Sequence, residues 1–273
     1  MSEANIRIYI NDSLHTVAAG TTLAQARARF CVGTATAILN TAVNPRPETV
    51  LHEHDRLYLF AHTGTYTDTD LSALMLERQP REATVKLRGA CIGIAGAGGL
   101  GSVVAENLAR AGIGRLVIAD HDVVEPSNLN RQRYFLRQLG LPKTAALANT
   151  LRECCPFVQV DAVQETINAD NCVRVFGSCA IVCECLDAAE SKAALVTALR
   201  RQLPDVPIVA ASGLAGCGSA RSITVRTVSD KLYVVGDQHS DSAEGPGLFA
   251  GRVGIVASMQ AHVIIQLLLE QQI

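Results

Sequence analysis

The chain has 273 residues, nearly half of them apolar and under a fifth charged, with a net charge of -2. That composition supports a buried core and excludes a disordered chain. The absence of any basic excess argues against a nucleic-acid partner, and no membrane partner is expected. The first 80 residues hold six Arg against eight Asp or Glu, and the remainder balances. The start, Met-Ser-Glu-Ala-Asn, lacks the basic and apolar regions of a signal peptide. The longest apolar tract, Arg252 to Leu269, is broken by Ser258, Gln260, His262 and Gln266 and reads as a buried helix. The nine cysteines are irregularly spaced and form no C-x-x-C pair. A reduced, cytoplasmic protein without structural zinc is the expectation. Cys183 and Cys185 are two apart on a strand and share a face, which leaves a metal there as the alternative. Both, with Cys217, are expected in the core or lining a site.

Ile6 to Ile10 alternates as a strand, Asn11-Asp12 marks a turn, and Leu14 to Val17 returns as a hairpin. Thr22 offers an N-cap to a helix over Leu23 to Phe30. Thr36 to Leu39 and Arg56 to Ala61 read as strands, with Val43 to Pro47 as a loop. Strand, strand, helix and further strands make a small α+β domain. The polar run from His62 to Asp70 marks its end. Helical segments Leu71–Glu77 and Arg81–Leu87 follow, split by Pro80.

From Gly89 the rhythm changes. Strands are expected near 91–95, 115–120, 157–163, 180–184 and 207–212. Helices are expected near 99–112, 143–153, 168–176 and 188–202. This alternation predicts a doubly wound, mostly parallel sheet of the α/β class. Ser222–Val228 and Lys231–Val235 suggest an antiparallel hairpin extending it.

The chemistry clusters after the first strand of that sheet. Gly96-x-Gly98-Gly99-x-Gly101 sits between strand and helix, where backbone amides and the helix dipole face an anion. Asp120 ends the next strand roughly 20 residues on, where a carboxylate can hold ribose hydroxyls. So far a nicotinamide-dependent dehydrogenase fits equally well. The run Asp120-His-Asp122-Val-Val-Glu125-Pro-Ser-Asn128-Leu-Asn-Arg131-Gln132 is unusually polar, and Pro142-Lys143 opens a helix. Lys143 is one of only four lysines, the others being Lys86, Lys192 and Lys231. Arg131, Lys143 and glycine-loop amides suit a triphosphate better than a pyrophosphate. The plain alternatives are a strand-capping Asp120, a solvated Asp122 or Lys143, and an Arg131–Glu125 surface pair.

This ordered set resembles the ubiquitin-activating-enzyme-like adenylyltransferases, and within them the ThiF group, with MoeB and HesA as relatives. The resemblance implies a Rossmann-like adenylation domain over 89–273. It implies ATP-dependent activation of the C-terminal carboxylate of a ThiS-like sulfur carrier ending in Gly-Gly, with thiamine biosynthesis as the setting. By the same resemblance, Gly96, Gly98, Gly99 and Gly101 line the phosphates and Asp120 the ribose. Asn128, Arg131 and Lys143 hold the polyphosphate, with Asp122 and Gln132 beside them. Asp187 matches the Mg2+-binding acid, although Leu186 and Ala188 replace the usual neighbours. Ser212-Gly213 matches a small-residue turn. A homodimer is implied, with Arg78 and Arg81 as candidates to reach a partner's site. Residues 1–62 resemble the ThiS-type β-grasp carrier itself, and 63–88 a helical linker. The carrier's terminal Gly-Gly is replaced by His62-Thr-Gly64 inside a continuing chain, so this domain has no carboxylate to activate. Two departures weigh against sulfur transfer by this chain. The relatives' C-x-x-C zinc site is absent, and so is a cysteine between Gly236 and Gly251. The rival readings are a nicotinamide oxidoreductase, which leaves Asn128, Arg131 and Lys143 without purpose, and an adenylation fold kept as an inactive scaffold or regulator.

Overall fold

The computed structural model describes residues 5–31, 35–61, 68–241 and 247–273. The His62–Gly64 stretch and residues 242–246, both singled out above, lie outside them. The chain divides into two compact units, Met1–Pro80 and Arg81–Ile273.

The first unit opens with β1 (Asn5–Ile10) and β2 (Ser13–Ala18). They are joined by Asn11-Asp12, both at positive φ, as a two-residue hairpin turn requires. Thr22 and Gln25 form a reciprocal capping box at the start of α1 (Leu23–Phe30). Strands β3 (Ala35–Leu39), β4 (Ala42–Val43) and β5 (Arg56–Ala61) complete a mixed sheet of order β2-β1-β5-β3-β4. The short β4 takes up the start of the stretch read as a loop. Ile8, Ile10, Leu57 and Leu59 face α1 residues Leu23 and Ala26 in this unit's core. Helix α2 (Asp68–Met75) belongs to the same unit. Glu77, just beyond it, acts on Tyr58 of β5, whose hydroxyl is pushed up to about 12 by burial and then by Asp12. The compact units divide at Pro80, within the 63–88 stretch read above as a helical linker.

The second unit begins with α3 (Arg81–Arg88) and then alternates: β6 (Cys91–Ala95), α4 (Gly99–Arg110), β7 (Arg115–Ala119), α5 (Lys143–Cys154), β8 (Gln159–Val163), α6 (Cys172–Phe176), β9 (Ile181–Glu184), α7 (Ala189–Gln202) and β10 (Ile208–Ala211). A hairpin of β11 (Thr224–Ser229) and β12 (Leu232–Gly236) precedes α8 (Ala250–Leu268). The sheet order is β11-β12-β10-β9-β6-β7-β8, parallel throughout except for β11. Period-two alternation splits its strands between two cores. Ile92, Ile94, Leu116, Ile118 and Cys183 pack with residues of α4, α5 and α8. Val117, Ala119 and Val182 pack with residues of α6 and α7. Helix α8 passes the length and hydropathy test for a membrane span, but it packs on α4 and the sheet inside the first of these cores. Helix α6 is shorter than expected. Asn168 and Asn171 hydrogen-bond neighbouring backbone amides and turn the chain before the helix can start.

Candidate functional site

The chain runs outward from β6 through β7 to β8, then returns to the other side of β6 with β9. At such a reversal the loops after the two central strands diverge and leave a crevice at their C-terminal ends. Here those loops are Gly96–Gly98 and Cys185–Asp187. Three lobes lie at the crevice, and Asp187 lines all three.

The glycines divide their work. Gly96 has φ +99°, and a Cβ there would lie 2.6 Å from the Cys185 carbonyl oxygen. A Cβ on Gly101 would meet the Gly96 carbonyl oxygen at 1.8 Å, so α4 reaches the loop only because that position is glycine. Gly98 is the open one. No side chain caps α4 at this residue, and the groups nearest its missing Cβ are Asp187 Oδ1 and Gln132 Nε2, each at 3.8 Å. Gly96 and Gly98 line the first lobe and Gly99 the second, whereas Gly101 lines none of the three.

Asp120 is half-buried at the end of β7. Its Oδ2 accepts from the Ala97 amide at 2.7 Å and its Oδ1 from the Asp122 amide at 2.8 Å. The carboxylate thus latches the glycine loop to the next strand while still lining the first lobe. Tyr134 adds a second latch that sequence reasoning missed, donating to the Ala97 carbonyl at 2.6 Å.

Lys143, the first residue of α5, is only 4% exposed and lines the first and third lobes. Its Nζ donates to Asp122 Oδ2 at 2.7 Å, and its amide donates to the Asp122 carbonyl at 2.9 Å. The hydrogen bond from Lys143 holds the Asp122 carboxyl below its ordinary value. Asp122 is therefore the partner of Lys143, with its own side chain still open to solvent. Asp120, His121 and Asp122 bring ligand atoms within 4.8 Å of one another. Asp122 already meets a cation in Lys143, so the group has less need of another.

Arg131 does not pair with Glu125. Its Nη1 donates to the Ser127 carbonyl at 3.1 Å and to Asn130 Oδ1 at 3.0 Å, which leaves it without a carboxylate among the described residues. It lines the second and third lobes. Asn128 is buried, and its Oδ1 accepts from the Glu125 amide at 3.0 Å, closing the local turn. Its carbonyl oxygen is spent on that turn, although the residue lines the third lobe. Gln132 is buried with Oε1 unbonded among the described residues. Asp187 is exposed and has no hydrogen-bond or ion-pair partner among them.

Two ion pairs, each with one buried partner, are further features that sequence reasoning did not assign, and Lys192 of the first lines the second lobe. Glu184, 1% exposed, takes Lys192 Nζ on both carboxylate oxygens at 3.0 Å. Burial pushes its carboxyl up, opposed first by Lys192. Arg252 pairs with Asp237 and also donates to the Gly218 and Ser219 carbonyls at 2.9 and 3.1 Å. Asp237 leaves no room beside Gly213, where a Cβ would lie 2.0 Å from Asp237 Oδ1. The one available signal was the scarcity of lysine, which applied equally to Lys86, Lys192 and Lys231. Ser212 and Gly213, matched above to a small-residue turn, line this lobe. Cys183 and Cys185 are buried with sulfurs 3.6 Å apart, and burial pushes the Cys183 thiol up. Cys217, expected in the core or lining a site, is exposed. Arg78 Nε bonds Glu77 on an exposed stretch of the first unit, and Arg81 opens the second.

Comparison with known proteins agrees with this arrangement. The chain is 36% identical over 124 residues to ubiquitin-like modifier-activating enzyme 5 of Bombyx mori, covering 41% of this chain and 32% of that protein. It is 34% identical over 145 residues to tRNA threonylcarbamoyladenosine dehydratase of Escherichia coli K12, covering 51% of this chain and 53% of that protein. It is 34% identical over 148 residues to the adenylyltransferase and sulfurtransferase MOCS3 of Xenopus laevis, covering 52% of this chain and 32% of that protein. The matches thus span from about a third to about a half of these relatives. The E. coli dehydratase solved with AMP superposes with a TM-score of 0.66 at 22% identity, over 76% of this chain and 98% of that one. Solved with ATP, it superposes with a TM-score of 0.62 at 26% identity, over 71% and 92%. The ThiF family model matches residues 71–273, the greater part of the sequence, and this chain belongs to the ThiF family.

Proposed function

We propose that this chain is an ATP-dependent adenylyltransferase. Its substrate in this reading is the C-terminal carboxylate of a small ThiS-like sulfur carrier ending in Gly-Gly, in thiamine biosynthesis. The observation that carries the reading is the convergence of Arg131, Lys143 and Asp187 on one crevice beside the open Gly98 position. The residues present fit a nucleotide. The start of α4 has no side-chain cap, which leaves its first amides for an anion. The buried Oε1 of Gln132 lacks a partner among the described residues, and an unbonded buried oxygen fits a site that a polar ligand completes. Asp120 and the Glu165–Ile167 segment line the first lobe, which suits the nucleoside. Asp187, exposed and unpartnered among the described residues, suits Mg2+, a hard cation that prefers carboxylate oxygen.

ATP bound there supplies an adenylyl group to the carboxylate, with pyrophosphate as the other product. Mg2+ would offset charge on the phosphates. The chain's own part is positioning and charge. Arg131 stands between the second and third lobes, and its guanidinium is free to neutralise a leaving pyrophosphate. Lys143 is buried and pre-oriented by Asp122, so it offers charge without reorganisation. The second lobe is lined by Gly99, Ala211, Ser212, Gly213 and Ala215. Leu100, Arg131, Leu214 and Leu248 line it too, so the small residues give a peptide tail room between larger walls.

The strand order β2-β1-β5-β3-β4, with a helix after the first hairpin, supports a β-grasp assignment for the first unit. The test of function is ATP–pyrophosphate exchange with candidate carriers. Exchange that depends on a carrier ending in Gly-Gly is expected. No exchange with any carrier would sink the reading. The 34% identity to tRNA threonylcarbamoyladenosine dehydratase over 145 residues favours a second reading, a tRNA substrate. The net charge of -2 argues against it, and exchange stimulated by tRNA alone would establish it instead.

A further inference from the structure

We infer that Glu184 and Lys192 form a positioning brace that fixes the Asp187 turn against the neighbouring Ser212-Gly213 turn. The functional consequence rests on the adenylation reading above. Glu184 is the last residue of β9 and its carboxylate is buried. Its Oε1 accepts from the Leu186 amide at 2.7 Å, and the Ala211 amide of the neighbouring strand faces the same carboxylate and favours its charged form. Leu186 directly precedes Asp187, and Ala211 directly precedes Ser212. One buried carboxylate therefore holds the amide that leads into Asp187 and faces the amide that leads into Ser212, and both turns wall the second lobe. Its own main-chain carbonyl accepts from Gln260 Nε2 of α8 at 3.1 Å, so the anchor point is itself tied to the core.

Lys192 makes this carboxylate tenable. It rises from the first turns of α7 and places one ammonium equidistant from both oxygens. Without it, a carboxylate in an apolar strand end would take up a proton or draw in water, and the two amides would lose a charged acceptor. Asp187 itself has no partner among the described residues, so nothing else in this network fixes the acid. Its position follows from the peptide that precedes it. Glu184 lines none of the three lobes, whereas Lys192 lines the second beside the Ser212-Gly213 turn. They act through Asp187 and the Ser212-Gly213 turn.

The test uses the full chain with Glu184→Gln, Lys192→Met, Lys192→Arg and the Glu184→Gln plus Lys192→Met double variant. The double variant removes both charges together, which guards against a single buried charge unfolding the protein. Amide hydrogen exchange at Leu186 and Ala211 reads the brace directly. Protection there should fall by about tenfold or more in Lys192→Met, with the core amides of β6 unchanged. Calorimetry with ATP should give affinity within about threefold of wild type without Mg2+, and a loss of about tenfold in the Mg2+-dependent gain. In pyrophosphate exchange kcat should fall by about tenfold or more, and Lys192→Arg should recover most of it. Unchanged protection at Leu186 in folded Lys192→Met and double variants would overturn the brace. So would an unchanged Mg2+-dependent gain in those variants. If the wild-type chain shows no exchange with any carrier, the adenylation reading fails, and protection at Leu186 and Ala211 still decides whether the brace exists.

Discussion

Gly96 and Cys185 approach so closely that the smallest side chain at residue 96 would sit 2.6 Å from the Cys185 carbonyl oxygen. The obstacle is backbone, not a flexible side chain, and the Gly96 φ of +99° disfavours any L residue independently. Gly96→Ala must therefore push apart the loops after β6 and β9. A loss of about 2–4 kcal/mol is expected, from steric overlap and a strained φ together. Chemical denaturation measures it. A loss below about 0.5 kcal/mol would mean that the two loops can separate freely.

Arg131→Ala and Lys143→Ala should each lower exchange by on the order of a hundredfold or more, as removal of one preorganised charge commonly does. The fold should survive both. Lys143 leaves behind Asp122, whose side chain is 47% exposed and can be solvated. Arg131 leaves only a carbonyl and an amide oxygen unbonded. Exchange within about threefold of wild type in both variants would remove these residues from the phosphate site.

What the sequence made legible was local. The capping box at Thr22, the Asn11-Asp12 turn and the strand–glycine–helix order from Cys91 all depend on residues close in the chain. The grouping of Asp120, Arg131, Lys143 and Asp187 was not local: it came from the family resemblance, and the structure brings these residues to adjoining pockets at the ends of the strands. Neither route settled Asn128. Its role depends on whether its oxygen turns back to the Glu125 amide or outward, and both are compatible with the same sequence. The Glu184–Lys192 and Asp237–Arg252 pairs were hidden for another reason. Each joins a strand end to a helix, and only packing decides that the two side chains meet.

Asp237 and Arg252 set an acid limit on stability. Burial pushes the Asp237 carboxyl up. The Ser240 and His239 amides, the Ser240 hydroxyl and Arg252 outweigh it and hold the carboxyl well below the usual range. A depressed folded value means that the stabilisation is complete above the unfolded value of about 3.9 and is lost as pH falls through the lower folded value. Asp237→Asn should then cost about 3 kcal/mol at pH 7, as breaking a buried pair does. The cost should hold down to about pH 5 and shrink below about pH 4. Urea denaturation of both proteins across that range is the measurement. A difference that widens toward acid would contradict the sign.

Tightly held zinc is not expected. Cys183 and Cys185 lie side by side, but a structural zinc site needs four ligands. The one group of three or more candidate ligands among the described residues is Asp120, His121 and Asp122. Elemental analysis after exhaustive dialysis should give well under one zinc per chain. A stoichiometric metal that survives dialysis would direct attention first to Cys183 and Cys185.

The two units should be separable. The first core draws on Ile8, Ile10, Val17, Leu23, Ala26, Leu57 and Leu59. The clusters of the second unit begin at Leu87 and use nothing earlier in the chain. A chain of residues 81–273 should therefore fold alone, melting within about 5 °C of the second unit in the full protein. Its exchange kinetics with a separate carrier then address the first unit's role. A carrier-like domain on the same chain competes at high effective concentration for any groove that binds carriers. Removing it should lower the apparent Michaelis constant for the carrier and speed exchange. Unchanged kinetics would eliminate competition and leave the first unit without a part in carrier binding. The first unit should not itself be adenylated, because His62-Thr-Gly64 continues as peptide and offers no terminal carboxylate. Mass spectrometry of the protein incubated with ATP tests this directly. An adenylated or thiocarboxylated fragment ending at Gly64 would reverse the conclusion, since it would require that cleavage release a working carrier from this chain.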